Sequence, residues 1–436
     1  MKKIGFLILL LTACQKEPST EFYSKKDYTY VSSLKSGVRI TLKDSKQGVI
    51  DKNNKVVLPN IYKNINVIKD KIIYTKQDNT MGITSVEGKT LLKNEYTYVY
   101  PFQENYLIKN KNKVGIIDAN EKVVVQSIYD EIRPFKEDRA IVVSDKKYGV
   151  IDKSGKEIVP PKYEYIQDFS NGMAMIIAQG RKAGFLNKDG IEVVQEIFKY
   201  TQPFKGNSTM VILDKEFGVI NKNGEYTIKL QEERINPLGN DLYSIKEKDK
   251  MYLVDSNGTK ISEQGYDSIG EQIEGVISVA LDDKFGYIDS KGKIIIPISY
   301  TELGEPQNKL LIAKDETTQK FGVINFENNF VIEPKFDYIS SRNNSFFIVG
   351  NENFKEGIVN MKGEIILPLE YSDLEFKYDN LAVGNNQNGE YKFIQVNNKS
   401  SLALDVNPAE VIDYNNNEIV TQNNEGTKIY KINGDK

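Results

Sequence analysis

The chain has 436 residues, 27% of them charged and 39% hydrophobic, with a formal net charge of −3. It contains no His, no Trp and a single Cys. These counts exclude an internal disulfide, a Cys-cluster zinc site and any nucleophile system that needs His from this chain. The charge balance offers no basic face for a nucleic acid.

Residues 1–14 read MKKIGFLILLLTAC. Lys2 and Lys3 precede a short apolar run, Ile4 to Leu11, well under the ~20 residues that span a bilayer. The sequence Leu11-Thr12-Ala13-Cys14 resembles the lipobox of a bacterial lipoprotein signal. That resemblance implies that residues 1–13 are a signal peptide and that Cys14 becomes the lipid-bearing first residue. An ordinary secretory signal with an incidental Cys is the alternative. Two or more acyl chains would anchor the protein stably, since each buried CH2 contributes ~0.8 kcal/mol. Gln15 rather than Asp follows the Cys, which by the same resemblance favours an outer membrane where the host has one. Residues 14–27 are polar and predict a flexible tether, leaving 28–436 for the folded part.

From residue 48 onward one pattern recurs, clearest in Lys147 to Pro161, KYGVIDKSGKEIVPP. Its glycine falls at Gly48, Gly82, Gly115, Gly149, Gly184, Gly218, Gly286, Gly322 and Gly357. Tyr252, Lys392 and Lys428 continue the register, giving twelve copies 33 to 36 residues apart. Three positions on stands Asp or Asn, as in Asp152 and Asn187; six positions on stands Gly or Asn, as in Gly155 and Asn54. Those residue types predict a hairpin loop with a left-handed residue before the second strand. At Glu121, where the pattern breaks, the neighbouring Asn120 is the expected left-handed residue. A β-branched run follows, often reaching a proline where the ladder ends or moves to an edge, as at Pro59, Pro160, Pro297, Pro334 and Pro368.

Fourteen positions after the glycine stands an aromatic: Tyr62, Tyr96, Tyr129, Tyr163, Phe198, Tyr266, Tyr300, Phe336 and Tyr371. Phe102, Phe135, Phe169 and Phe204 add a second at position twenty. No helical period appears after the signal. The reading is an all-β chain of tandem repeats, each about three short antiparallel strands, that must stack to share a core. Twelve copies exceed one ordinary propeller, so an open superhelical, propeller-like array is expected. Two consecutive propellers with a seam at Tyr226 to Leu242 are the alternative. The worn last two copies fit an exposed cap.

This spacing of aromatic, glycine, turn and proline resembles the bacterial WG-repeat (KWG-repeat) family. The tryptophan that names the family is absent. Its slot holds Gln47, Met81, Val114, Tyr148, Ala183, Phe217, Met251, Phe285, Phe321 and Glu356, as a packing position open to other bulky groups would. The resemblance implies the repeat fold and carries over no catalytic residues.

Chemistry is therefore sought where the copies disagree. Two carboxylates would suffice for a glycosidase, and the off-pattern Glu232-Glu233-Arg234 is the first place to look. The turn Asp residues lack the dense acidic spacing of a calcium loop, and no phosphate loop precedes a helix. The sequence calls for no cofactor and no metal. Off-register Tyr98, Tyr100, Tyr106, Tyr165 and Tyr200 are the candidates for surface contacts. The expected role is a non-enzymatic, lipid-anchored binding or scaffold surface in the bacterial cell envelope, with a protein or glycan partner and no nucleic acid. An envelope-polymer enzyme or accessory factor using a carboxylate pair, and a purely structural spacer, are the alternatives.

Overall fold

The computed structural model describes residues 20–92, 96–178, 180–343, 345–415 and 417–432. The expected signal peptide and Cys14 lie outside them. Among the described residues the chain is built of short antiparallel strands, apart from one 3-10 turn at Pro408–Glu410.

The sheet from Glu131 to Tyr163 shows the plan. Its strands Glu131–Ile132, Arg139–Ser144, Lys147–Asp152 and Glu157–Tyr163 pair in chain order. The repeat read from glycine to glycine straddles two such sheets. Its first hairpin closes one sheet, and the strands after the position-fourteen aromatic open the next. Most sheets hold four strands rather than three. The additional one is often only two residues long, too short to leave a period in the sequence.

The repeat glycine lies on the third strand, where the fourth strand bulges over it. Tyr148 pairs with Tyr163 and Val150 with Val159, so the single residue Gly149 faces Pro160, Pro161 and Lys162. A Cβ on Gly149 would sit 2.6 Å from the Val159 carbonyl oxygen and 2.8 Å from the Pro161 nitrogen. No side chain fits there. Of the two expectations for the proline, the edge holds: Glu157–Tyr163 runs through Pro160 and Pro161 at the edge of its sheet. Proline is tolerated because the strand is an edge and the bulge needs no donor at that point.

The turn between these strands is held by its first residue. Asp152 Oδ1 accepts from Ser154 N (2.9 Å), Lys156 N (3.0 Å) and Ser154 Oγ (2.6 Å), and Gly155 takes φ +83°. Carboxylates engaged in this way serve the loop. At the exceptional copy Glu121 itself adopts φ 63°, so Asn120 does not take over the left-handed position. The Asp118 carboxylate fixes that loop by accepting from Asn120 N and Lys122 N, at 2.8 and 2.9 Å.

All nine position-fourteen aromatics pair across the strands with the slot before the repeat glycine. Tyr148–Tyr163, Phe285–Tyr300 and Phe321–Phe336 are aromatic pairs, and Gln47–Tyr62, Met81–Tyr96, Val114–Tyr129, Ala183–Phe198, Met251–Tyr266 and Glu356–Tyr371 complete the set. Glu356 is acceptable in this buried slot because Ser340 Oγ and Leu374 N donate to its carboxylate at 2.9 and 2.8 Å.

The chain divides into two compact units. The central unit, residues 63–337, holds successive sheets whose facing sides share one core after another. Val114, Ile116, Val125 and Tyr129 of one sheet pack with Ile132, Ala140, Val142 and Ile151 of the next. Phe204 from a connecting loop is fully buried against Phe185, ring centroids 4.9 Å apart. Burial of such a side chain contributes ~1.5–3 kcal/mol. The expected seam at Tyr226 to Leu242 lies inside this unit. Met210, Val219 and Ile228 share a core there with Ile235, Tyr243 and Val254, so packing runs on without a break.

The terminal unit comprises both ends of the described chain, residues 20–62 and 338–432. The two units are thus not consecutive halves. In this one a long strand, Ile365–Tyr378, pairs first with Glu356–Asn360 and then with Leu381–Asn385, joining seven strands in one sheet. The last sheet takes its fourth strand from the other end of the chain: Thr20–Ser24 pairs along its length with Gly426–Lys431. Thr20–Ser24 is therefore strand rather than flexible tether. The last copy is likewise no exposed cap: Val420 and Ile429 are buried with Tyr23, Val31 and Ile50. Arg39 and Glu418 join the first and last sheets in a buried bidentate pair, at 2.6 and 2.7 Å.

Candidate binding groove

Within the central unit the sheets differ in the length of their first strand. It ranges from two residues, as at Tyr165–Ile166 and Tyr200–Thr201, where a loop follows, to five at Asn64–Ile68. At Ile235–Gly239 it has five residues and at Ser268–Ile273 six, and tight turns replace the loop. Asn240 and Asp241 form one such turn, with φ 52° and 59°.

That turn is bound to the preceding sheet. The Asp241 carboxylate accepts from Asn207 N (2.8 Å), Ser208 N (2.8 Å) and Ser208 Oγ (2.6 Å), and Ser208 Oγ lies 2.8 Å from Tyr243 Oη. Burial pushes the Tyr243 phenol up to about 12; the Ser208 contact pulls the other way and the Asp241 charge adds to the rise. Ser208 and Tyr243 are buried and bonded to each other. Their arrangement fixes the walls of what lies above.

Three adjoining cavities, of about 280, 570 and 560 Å³, run across these sheets and share Glu271 in their walls. The apolar part is lined by Met210, Ile212, Phe217, Pro237, Leu238 and Ile269. Tyr200, 49% exposed, lies at one wall, and Gln202 and Asn236 add amides. Arg234, Lys205 and Glu271 bring charge. Among the described residues the charged ends of these three, and the Tyr200 hydroxyl, bond to no protein group. By contrast Arg133, in an earlier sheet, lies 5.3 and 5.6 Å from the ring centres of Tyr148 and Tyr165 and pairs with Glu131 at 3.1 Å.

Of the residues singled out from the sequence, Arg234 and Tyr200 reach this groove. Glu232 and Glu233 are exposed beside it and line none of the three cavities. Tyr98 and Tyr100 are exposed elsewhere, and Tyr165 is half-buried against Tyr148. Tyr106 is no surface residue: at 5% exposure it packs with Ile73, Ile83 and Val99, because it falls on the inward face of Asn105–Asn110. Met210, Pro237, Ile269 and Asp241 were missed. Pro237, Asp241 and Ile269 lie on or beside the long first strands Ile235–Gly239 and Ser268–Ile273, which leave no distinct mark in the repeat pattern.

The repeat aromatics are structural in placement. Tyr62, Tyr129, Tyr163, Phe198, Tyr266 and Phe336 are buried, and Tyr96, Tyr300 and Tyr371 are half-buried. Some also tie neighbouring sheets: Tyr96 Oη donates to Glu121 (2.9 Å) and Tyr300 Oη to Asn328 (2.7 Å). One carboxylate pair stands out on the strand Glu192–Phe198. Burial and the neighbouring Glu196 raise the Glu192 carboxyl above its usual range. Both acids sit on an edge strand outside the three cavities of the groove. Among the described residues no three acidic or Cys side chains cluster as metal ligands, and no helix is long and apolar enough to cross a membrane.

No curated protein matches the chain. Solved structures similar to it include BamB from Moraxella catarrhalis, at 14% identity over 61% of this chain and 96% of that one, with a TM-score of 0.28. A eukaryotic initiation factor aligns at 10% identity over 69% of this chain and 95% of that one, with a TM-score of 0.33. The computationally designed Ika8 protein aligns at 11% identity over 76% and 94%, with a TM-score of 0.24. The WG containing repeat matches residues 115–148, 148–177, 285–316, 321–353 and 357–391, so the chain carries repeats of the WG family across these stretches.

Proposed function

We propose that this chain is a non-enzymatic binding module whose contact surface is the groove of the central unit, held at a cell envelope by lipid on Cys14. The observation that carries the reading is the groove itself. It is a long concavity with an apolar floor and unengaged polar ends at Tyr200, Lys205, Arg234 and Glu271. Ligand sites combine an apolar lining with a few polar groups in this way. The combined length suits a macromolecular segment better than a small metabolite.

The carboxylate-pair enzyme has less behind it. Glu192 and Glu196 lie on one edge strand, outside the groove. The test is capture of envelope components by the mature protein and by a variant carrying Tyr200→Ala and Lys205→Glu, both on exposed side chains. The variant should melt like the parent and lose the captured component. Equal capture by both would sink the groove as the contact surface.

A further inference from the structure

Resting on the groove as the contact surface, the geometry points to its occupant: an extended peptide segment with an aliphatic side chain next to an acidic one. The apolar floor is aliphatic rather than aromatic, since Met210, Ile212, Leu238 and Ile269 join Phe217 and Pro237 there. Branched pockets of this kind take Leu, Ile or Val side chains. A glycan would be met instead by flat exposed rings, and of the groove's aromatics only Tyr200 is widely exposed.

Length agrees with an extended chain. Packed sheets lie ~10 Å apart, so the passage from the sheet of Tyr200 across that of Pro237 to that of Ile269 covers roughly 20 Å, or about six residues at ~3.3 Å each. The charge is complementary as well. Arg234 lines the same cavity as the aliphatic floor, and Lys205 lines the two adjoining ones. Neither cation has an acidic partner among the described residues: of the two carboxylates in the walls, Asp241 is engaged by Asn207 and Ser208, and Glu271 bonds to neither cation. A guanidinium left free beside an apolar pocket selects a carboxylate adjoining the buried side chain, because a charge-assisted pair at such a rim strengthens binding several-fold.

A random hexapeptide library displayed on phage, panned against the full mature chain, tests this directly. Enrichment of Leu, Ile or Val beside Asp or Glu is expected, with binding about 5- to 10-fold weaker when the acid is changed to its amide. Panning against an Arg234→Glu variant should switch the neighbour to Lys or Arg, and Ile212→Arg should abolish enrichment at a temperature where its circular dichroism is that of the parent. No enrichment, or enrichment with no charge preference that Arg234→Glu reverses, would overturn the peptide. Enrichment only from an oligosaccharide array, abolished by Ile212→Arg, would also overturn it while leaving the groove as the contact surface.

Discussion

Arg39 and Glu418 stand 379 positions apart in sequence and share two hydrogen bonds, at 2.6 and 2.7 Å, with side chains 2% and 4% exposed. Burial alone would depress the guanidinium; the bonds and charge of Glu418 outweigh it and hold the Arg39 pKa above its usual value. Glu21 adds a third contact at 3.2 Å, and Leu34 N donates to Glu418 at 2.8 Å. Ends of the chain that carry little repeat pattern are thereby joined.

Removing one member of a buried pair leaves the other charge uncompensated, at a cost of ~3–5 kcal/mol. Glu418→Gln should lower the free energy of unfolding of the full chain by about that amount in urea titrations. The Arg39→Met, Glu418→Met double variant should be less damaged than either single one. A Glu418→Gln loss under ~0.5 kcal/mol would show that the pair is not holding the two sheets.

The repeat glycine and the slot before it should answer differently to substitution. Gly149→Ala places a methyl 2.6 Å from the Val159 carbonyl oxygen, and backbone must move; a loss of ~1–3 kcal/mol is expected. Tyr148→Trp, which restores the residue that names the family, enlarges a half-buried position and should change stability by less than ~1 kcal/mol. Thermal melts of the two variants separate these outcomes.

Tyr243 sets an alkaline limit. Its phenol titrates near its usual value, ~10, in the unfolded chain and at about 12 in the folded one. Between those values the unfolded chain has lost the proton and the folded chain retains it, so stability falls as pH rises through this window. Tyr243→Phe should flatten part of that fall, read as unfolding free energy against pH from 9 to 12. An unchanged slope would mean that other phenols, such as Tyr23 and Tyr163, dominate.

Much of the fold is legible in the sequence because it is local. Asp152 and Gly155 specify their own turn, and Gly149 with Tyr163, fourteen positions on, marks the bulge between them. The strand Thr20–Ser24 is not legible, because five residues with one buried Tyr look like polar tether until Gly426–Lys431 supplies the partner. The pairing of Arg39 with Glu418 likewise has no local signal. The groove falls between these cases. Arg234 and Tyr200 stand out by breaking register, whereas Asp241 and Ile269 are ordinary residues until a long first strand turns them toward a cavity.

The proposed anchor is tested at Cys14. Cys14→Ser should release the protein from salt-washed membranes without altering the melting of the repeats. A variant that still pellets with washed membranes would contradict a lipid on that sulfur.

The most direct test of the groove as the contact surface is photo-cross-linking in producing cells, with a photoreactive residue at Tyr200 or at Ile128. Both side chains are exposed, but Ile128 lies on the fourth strand of another sheet, away from the groove. The account predicts one discrete adduct from position 200 and none from position 128. Adducts of equal yield from both positions, or none from position 200, would contradict it.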